Sequence, residues 1–306
     1  MISIVLPFYN EEANVELLYN DIILSLNGFE YEIIAVNDGS KDNTLINLKK
    51  IQTLNANFKI VNFKRNFGQT AAIQAGIDEA SGDVIVLMDT DLENFASDIP
   101  NLVNKMKEGY DVVSGWRKER WGGQFLTRKL PSMIANKLIS KISGVNLHDY
   151  GCTLKAYKSE ILKEIRLYGQ MHRFIPVFCH WEGARIIEIP VNYQPRIHGK
   201  SNYGFSRTFK VVLDLILIKF LQKYQRRPIH FFGGVGFISI FLSIISFSAA
   251  LFFKLSNQKD FVETPLPIFT AMFLIVGILM ILLGIVSEIV MRTYYESQEK
   301  SIYKKK

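Results

Sequence analysis

Short aliphatic runs and amphipathic stretches alternate through the opening third of the chain. Ile2–Leu6, Tyr31–Val36, Phe58–Asn62 and Asp83–Met88 are compact, rich in branched residues and bounded by turn formers, so they predict strands. Glu12–Leu26, Thr44–Leu54 and Thr70–Ala80 lie between them with helical patterning. This β-α-β-α rhythm predicts an α/β domain whose mostly parallel sheet is covered on both faces. Sheets of that kind bind ligands beyond the carboxyl ends of their strands. Polar clusters stand at those ends: Pro7-Phe8-Tyr9-Asn10-Glu11-Glu12 after the first strand, Asn37-Asp38-Gly39-Ser40 after the second, and Asp89-Thr90-Asp91 after the fourth. Three strand ends therefore face one crevice.

From Arg117 to Pro195 the patterning is mixed, with a helix predicted over Phe125–Ile142. Gly204–Tyr224 places Arg207, Lys210, Asp214, Lys219 and Lys223 at three- to five-residue steps among Phe, Leu, Ile and Val. That pattern predicts an amphipathic helix suited to a membrane interface, with a core helix of a soluble domain as the competing reading. Phe231–Phe253 and Ile268–Ser287 carry no charge and are each long enough to cross the hydrocarbon of a bilayer. Lys223, Arg226 and Arg227 precede the pair, and Arg292 and Lys304–Lys306 follow it, whereas the loop between them balances Lys254 and Lys259 with Asp260 and Glu263. The Lys/Arg bias assigns both outer flanks to the cytoplasm, and two crossings return the tail to the side of the first domain. The N-terminus opens directly on a strand, without a basic leader and cleavage site, which also assigns that domain to the cytoplasm.

Apolar residues make up 48% of the 306-residue chain, and the excess is concentrated near the C-terminus. The net charge of +7 is equally uneven. Residues 196–230 hold eight Lys/Arg against one Asp, whereas residues 1–195 hold 21 Lys/Arg against 23 Asp/Glu. A basic block beside apolar spans points to anionic headgroups or a phosphorylated lipid rather than to nucleic acid; an ordinary solvated stretch is the bland alternative. The two cysteines, Cys152 and Cys179, cannot build a disulfide framework and read as small buried hydrophobes. His148, His172, His180, His198 and His230 show no metal-ligand spacing.

Asp89-Thr90-Asp91 is the sharpest local signal, because it crowds two carboxylates at the end of an apolar strand. Hard cations such as Mg²⁺ or Mn²⁺ take oxygen ligands and share them between carboxylates and substrate phosphates. A helix cap or turn would also explain the triplet. Asp38, at the same sheet edge, can accept hydrogen bonds from a nucleobase or ribose, and the Asn37–Ser40 segment equally suits an Asx turn.

VLPFYNEE at 5–12, NDGSKDNT at 37–44, RNFGQTAAIQAG at 65–76 and DTDL at 89–92 together resemble glycosyltransferase family 2. The resemblance is strongest to its polyprenyl-phosphate branch, which includes dolichyl-phosphate mannose synthases and bactoprenol glucosyltransferases. It continues through Arg117, HDYGCTLKAY at 148–157 and RIHGKSNYGFSR at 196–207, then into the two spans. The resemblance implies a GT-A-like fold in which Pro7, Tyr9, Glu11 and Asp38 hold the nucleoside and Asp89 lies near the nucleotide sugar and metal. Asp91 would ligate the metal. Relatives often carry Gln where this chain has Glu93, a carboxylate that could also coordinate. Arg196 fits a diphosphate contact, and Lys200 is displaced by two positions from the family's lysine.

Arg128, Ser132 and Asn136 are spaced to share one helix face, which suits bidentate capture of an acceptor phosphate. The resemblance assigns that role to Arg117, Arg128 and Ser132, with Lys200 nearby. It places Asp149 in the catalytic region, either orienting arginines and acceptor or acting as a base. A phosphate monoester is already anionic at neutral pH, its second pKa lying near about 6, so a strong base is less needed. The implied reaction is an inverting, metal-dependent transfer to a polyprenyl phosphate such as undecaprenyl phosphate, with UDP-glucose the first choice of donor. Other nucleotide sugars stay open, and a homo-oligomer such as a tetramer is among the options. A processive polysaccharide synthase is disfavoured, because no Q-x-x-R-W segment precedes the spans and two helices are few for a channel. A non-catalytic membrane scaffold is the rival from another class. The expected organisation is a catalytic domain over 1–203, an amphipathic region over 204–230, a two-helix anchor over 231–291 and a basic cytoplasmic tail over 292–306.

Overall fold

The computed structural model describes residues 1–118, 120, 130–167, 169, 171–195, 219–220, 223–224 and 227–297. They fall in two compact units, Met1–Leu215 and Ile216–Lys306. The expected amphipathic helix over 204–224 and the boundary near residue 203 lie largely outside the described residues.

In the first unit the order is β1 (Ile2–Phe8), α1 (Val15–Ser25), β2 (Tyr31–Asn37), α2 (Thr44–Leu54), β3 (Phe58–Asn62), α3 (Gln69–Glu79) and β4 (Val84–Leu87). Then come α4 (Ile99–Met106), β5 (Val112–Trp116), α5 (Leu130–Ser143), β6 (Lys155–Lys158), α6 (Ser159–Leu162), α7 (Ile175–Trp181) and β7 (Ile186–Pro190). Among the described residues seven strands form one sheet, ordered β3-β2-β1-β4-β6-β5-β7. The first four in sequence run parallel, as the patterning predicts. Strand β6 runs antiparallel between β4 and β5, and β7 lies parallel to β5. β2 is buried along nearly its whole length, as a strand covered on both faces must be. One face packs Ile4, Leu6, Ile33, Ala35 and Val86 against Leu18 and Ile22 of α1, Leu48 of α2 and Leu102 of α4.

Register carries the site. Phe8 lies opposite Asn37, Asn37 opposite Asn62, and Lys155 opposite both Leu87 and Ser114. The segments after β1, β2, β4 and β5 and the segment before β6 therefore meet at one sheet edge.

The second unit contains α8 (Ile229–Leu255) and α9 (Leu266–Ser297), which extend beyond both predicted spans. They pack antiparallel through small residues. A Cβ on Gly236 would lie 2.9 Å from the Gly277 carbonyl oxygen, and one on Gly277 would lie equally close to that of Gly236. Ser243 Oγ donates to the Thr270 carbonyl at 2.8 Å, and Ser246 Oγ to that of Leu266 at 2.9 Å. Phe237, Ile238, Phe241, Ile275, Leu279 and Leu282 point outward. Water disfavours so much uncovered apolar surface, whereas lipid accommodates it. This is a membrane-associated hairpin.

Candidate active site

The loops after β1 and β2 are knitted together. Asn10 takes a positive φ of 55°, its N–H donates to Ser40 Oγ at 3.0 Å, and its side-chain oxygen accepts the Lys41 N–H at 2.8 Å. The Glu11 N–H donates to Thr44 Oγ1 at 2.9 Å, and the Glu11 carboxylate accepts Asn14 Nδ2 at 2.5 Å. Pro7, the penultimate residue of β1, has its carbonyl accepting Thr90 Oγ1 at 3.1 Å, and Tyr9 is exposed at the rim. Asn37 closes the turn after β2, its side-chain oxygen accepting the Ser40 N–H three residues on at 3.3 Å. Asp38 is buried, and its two oxygens accept the Phe67 and Gly68 N–H groups at 2.7 and 2.9 Å, at the head of α3. Gly39 makes that approach possible: it has a φ of 66°, and a Cβ there would lie 2.4 Å from the Arg65 carbonyl carbon.

The acidic triplet leaves β4 at the same edge. Asp89 is half-buried and accepts Gln69 Nε2 at 2.7 Å, so α3 also positions the first carboxylate. Asp91 is buried, and its Oδ1 accepts the Glu93 N–H at 3.2 Å across Leu92, whose φ is 59°.

Behind the triplet stands an ion cluster. Arg117 leaves β5 with its side chain only 3% exposed. It donates from Nε and Nη2 to the two oxygens of Asp149, at 2.9 and 3.3 Å, and from Nη1 to Glu93 Oε2 at 3.0 Å. Burial pushes the Asp149 carboxyl up, but the Arg117 guanidinium outweighs it and holds the group below the usual carboxylate range. Burial likewise pulls Arg117 down, and Asp149 together with Glu93 more than reverses it. The pair stays ionised at neutral pH. Arg120 Nη2 lies 3.9 Å from Glu93 Oε2, and a Cβ on Gly151 would sit 3.5 Å from both guanidinium groups. Lys155 is buried below, donating to the Tyr150 carbonyl at 3.4 Å and to that of Cys152, and burial pushes its pKa down. Cys152 and Cys179 are free and buried, as their number and spacing suggest.

The structure thus gathers Pro7, Asp38, Asp89, Asp91, Glu93, Arg117 and Asp149 at one edge, with Tyr9 and Glu11 on its first loop. Arg128, Arg196, Lys200 and the Ser132 side chain lie outside the described residues. Sequence reasoning passed over Gln69, Arg120, Lys155 and Glu188. It also set aside His172, whose Nδ1 lies 2.7 Å from Thr70 Oγ1 at the head of α3. A charge inside a short run is the sequence signal for Lys155 and Glu188, and strands of four and five residues are too short to show a period. Among the described residues no three His, Cys, Asp or Glu side chains gather as a metal cage. Two carboxylates at the end of β4 nevertheless fit a hard cation that takes its remaining ligands from substrate phosphate and water.

The model for glycosyl transferase family 2 matches residues 3–166. The chain belongs to that family. It is 42% identical to the dodecaprenyl-phosphate galacturonate synthase of Rhizobium johnstonii, over 99% of this chain and 91% of that protein. It is 33% identical to the undecaprenyl-phosphate 4-deoxy-4-formamido-L-arabinose transferase of Proteus mirabilis, over 99% and 92%. These relatives place it in the polyprenyl-phosphate branch, and it is a glycosyltransferase. Glucosyl-3-phosphoglycerate synthase from Mycobacterium tuberculosis, solved with Mn²⁺, UDP and glucosyl-3-phosphoglycerate, has the same fold, with a TM-score of 0.56, 19% identity, and coverage of 72% of this chain and 78% of that one. The same enzyme solved with Mg²⁺ and UDP gives a TM-score of 0.55 at 20% identity, with coverage of 72% and 78%. The GT-A-like expectation is borne out.

Proposed function

We propose that this enzyme transfers a sugar from a nucleotide diphosphate to a polyprenyl phosphate, with a hexuronic acid such as galacturonate as the favoured donor sugar. The observation that carries this reading is the 42% identity, over nearly the full length of both chains, to a galacturonate synthase of that acceptor class. Galacturonate thereby displaces glucose as the first choice, and a formamido-arabinose donor ranks next. The loops around Pro7, Tyr9, Glu11 and Asp38 would hold the nucleoside, with Arg196 on the diphosphate. Asp89 and Asp91 would hold Mg²⁺ or Mn²⁺, which when bound neutralises the departing diphosphate. The Glu93 carboxylate is engaged by Arg117, so we read it as a partner of that arginine rather than as a metal ligand.

Arg117 spends three of its five N–H donors on carboxylates, leaving two for an incoming phosphate beside Arg128, Ser132 and Lys200. The acceptor oxygen arrives already anionic and attacks the anomeric carbon in line, with inversion. Asp149, held as an anion by Arg117, is a poor base and a good orienter of that guanidinium. Positioned arginines supply charge stabilisation at the transferring phosphates. By the Lys/Arg bias, catalysis faces the cytoplasm and both termini stay there.

Membranes containing the protein, supplied with Mg²⁺ or Mn²⁺, polyprenyl phosphate and labelled UDP-galacturonate, UDP-glucose or the formamido-arabinose donor, should form sugar-lipid, most of it from the uronate. Absence of product with every donor, alongside active controls, overturns the reading. Asp91→Asn should abolish transfer while membrane placement is unchanged; retained function would point to a scaffold.

A further inference from the structure

Glu188, on β7, is an acidic side chain whose partners among the described residues all belong to the turn that carries Asp149. Its carboxylate is only 8% exposed. Oε1 accepts the N–H groups of His148 and Asp149, each at 3.0 Å, and Oε2 accepts the His148 N–H at 2.9 Å. His148 Nδ1 lies 2.8 Å from Oε2, and its ring stacks on Trp116 with centroids 4.5 Å apart. The opposite side of the turn is also held. Asn136 Nδ2 donates to the His148 carbonyl at 2.5 Å, and Lys155 donates to the carbonyls of Tyr150 and Cys152. Successive N–H groups converging on one carboxylate make an anion nest, occupied here by a side chain of the protein itself.

The geometry points to Glu188 as a positioning residue for the transfer: by anchoring the 148–152 turn, it aims the Asp149 carboxylate and, through it, the Arg117 guanidinium. Glu188 touches neither reacting group. β7 pairs parallel with β5, which puts Glu188 in register with Ser114, two residues before Trp116 and three before Arg117. Glutamine has the same size, yet it replaces one accepting oxygen with a donating NH₂ that in either orientation faces the His148 N–H. This inference rests on the proposed function in one respect, that Arg117 serves the acceptor phosphate.

The test uses the full chain in membranes or detergent, comparing wild type with Glu188→Gln and Glu188→Asp. Glu188→Gln should raise amide hydrogen exchange across 147–152 while exchange in β1, β2 and β4 stays unchanged. It should also lower kcat by roughly tenfold to a hundredfold, the scale of a misplaced catalytic group, with KM for the nucleotide sugar unaltered. Glu188→Asp keeps the charge and should recover part of the rate; it also serves if the glutamine variant does not fold. Unchanged exchange, or raised exchange with unchanged kcat, overturns the inference. So does an equal rise in KM for the nucleotide sugar, which marks general loosening. A wild-type protein that transfers no sugar with any donor overturns the functional reading instead, and the exchange measurement still decides whether Glu188 holds the turn.

Discussion

Arg117 is satisfied by two carboxylates from different segments, and that arrangement sets the cost of disturbing it. Replacing Asp149 by Asn keeps the shape but leaves a buried guanidinium short of one negative partner. Breaking such a pair costs about 3 kcal/mol when the remaining charge stays buried, and Glu93 prevents complete loss of compensation. Asp149→Asn should therefore lower the denaturant midpoint of the full chain in detergent and reduce transfer, whereas Glu93→Gln should do both to a smaller extent. The same pairing has a pH signature. Because Arg117 holds Asp149 below the usual carboxylate range, Asp149 stays charged throughout pH 5–8. A pH–rate profile should show no acidic limb there from this residue; one that vanished in Asp149→Asn would contradict its role as an orienting anion.

Among the elements, the hairpin of α8 and α9 depends on glycine where the two backbones meet. A side chain at 236 would run into the Gly277 carbonyl oxygen and into Ile281 Cγ1, 2.7 Å away, and both lie on a rigid helix. Gly236→Leu should separate the helices and cost about 1–3 kcal/mol, the usual range for overpacking. Ser243→Ala removes a single interhelical hydrogen bond, worth about 0.6 kcal/mol on average in a membrane. Unfolding in mixed micelles should rank the glycine variant well below the serine variant. The rank order follows from sterics exceeding one polar contact, since lipid offers no hydrophobic gain for keeping the helices together.

Across the whole molecule, the sheet edge opposite the active site is tied by another buried carboxylate. Glu32 of β2 accepts Ser3 Oγ of β1 at 2.6 Å, the Ser81 N–H at 2.6 Å and Lys59 Nζ of β3 at 2.7 Å. Burial pushes this carboxyl up, but the hydrogen bonds from Lys59, Ser3 and Ser81 outweigh it and hold it at about 2, against an ordinary 4.5. A depressed carboxylate stabilises the fold above its unfolded pKa, and that stability fades as pH falls from 4.5 toward 2. Lys59 is half-exposed, so screening reduces the gain to about 2 kcal/mol. Glu32→Gln should lose that amount at pH 7, and the gap to wild type should narrow on acidification, as chemical denaturation at several pH values would show. Much of this architecture was legible in the chain. Period and turn chemistry located β1 to β4, α1 to α3 and both apolar helices, because each is long or regular enough to carry its own pattern. The Asp89–Asp91 and Asn37–Ser40 clusters were legible as strand-end chemistry for the same reason. What only tertiary structure decided was partnership: that β6, four residues with a lysine at each end, runs antiparallel through the middle of the sheet, that Glu93 turns to Arg117, and that Glu188 holds the Asp149 turn. A short strand gains its identity from its neighbours, and a buried charge gains its role from the partner brought to it across 24 to 40 residues of chain, a guanidinium for Glu93 and backbone N–H groups for Glu188, so neither leaves a periodic trace in sequence.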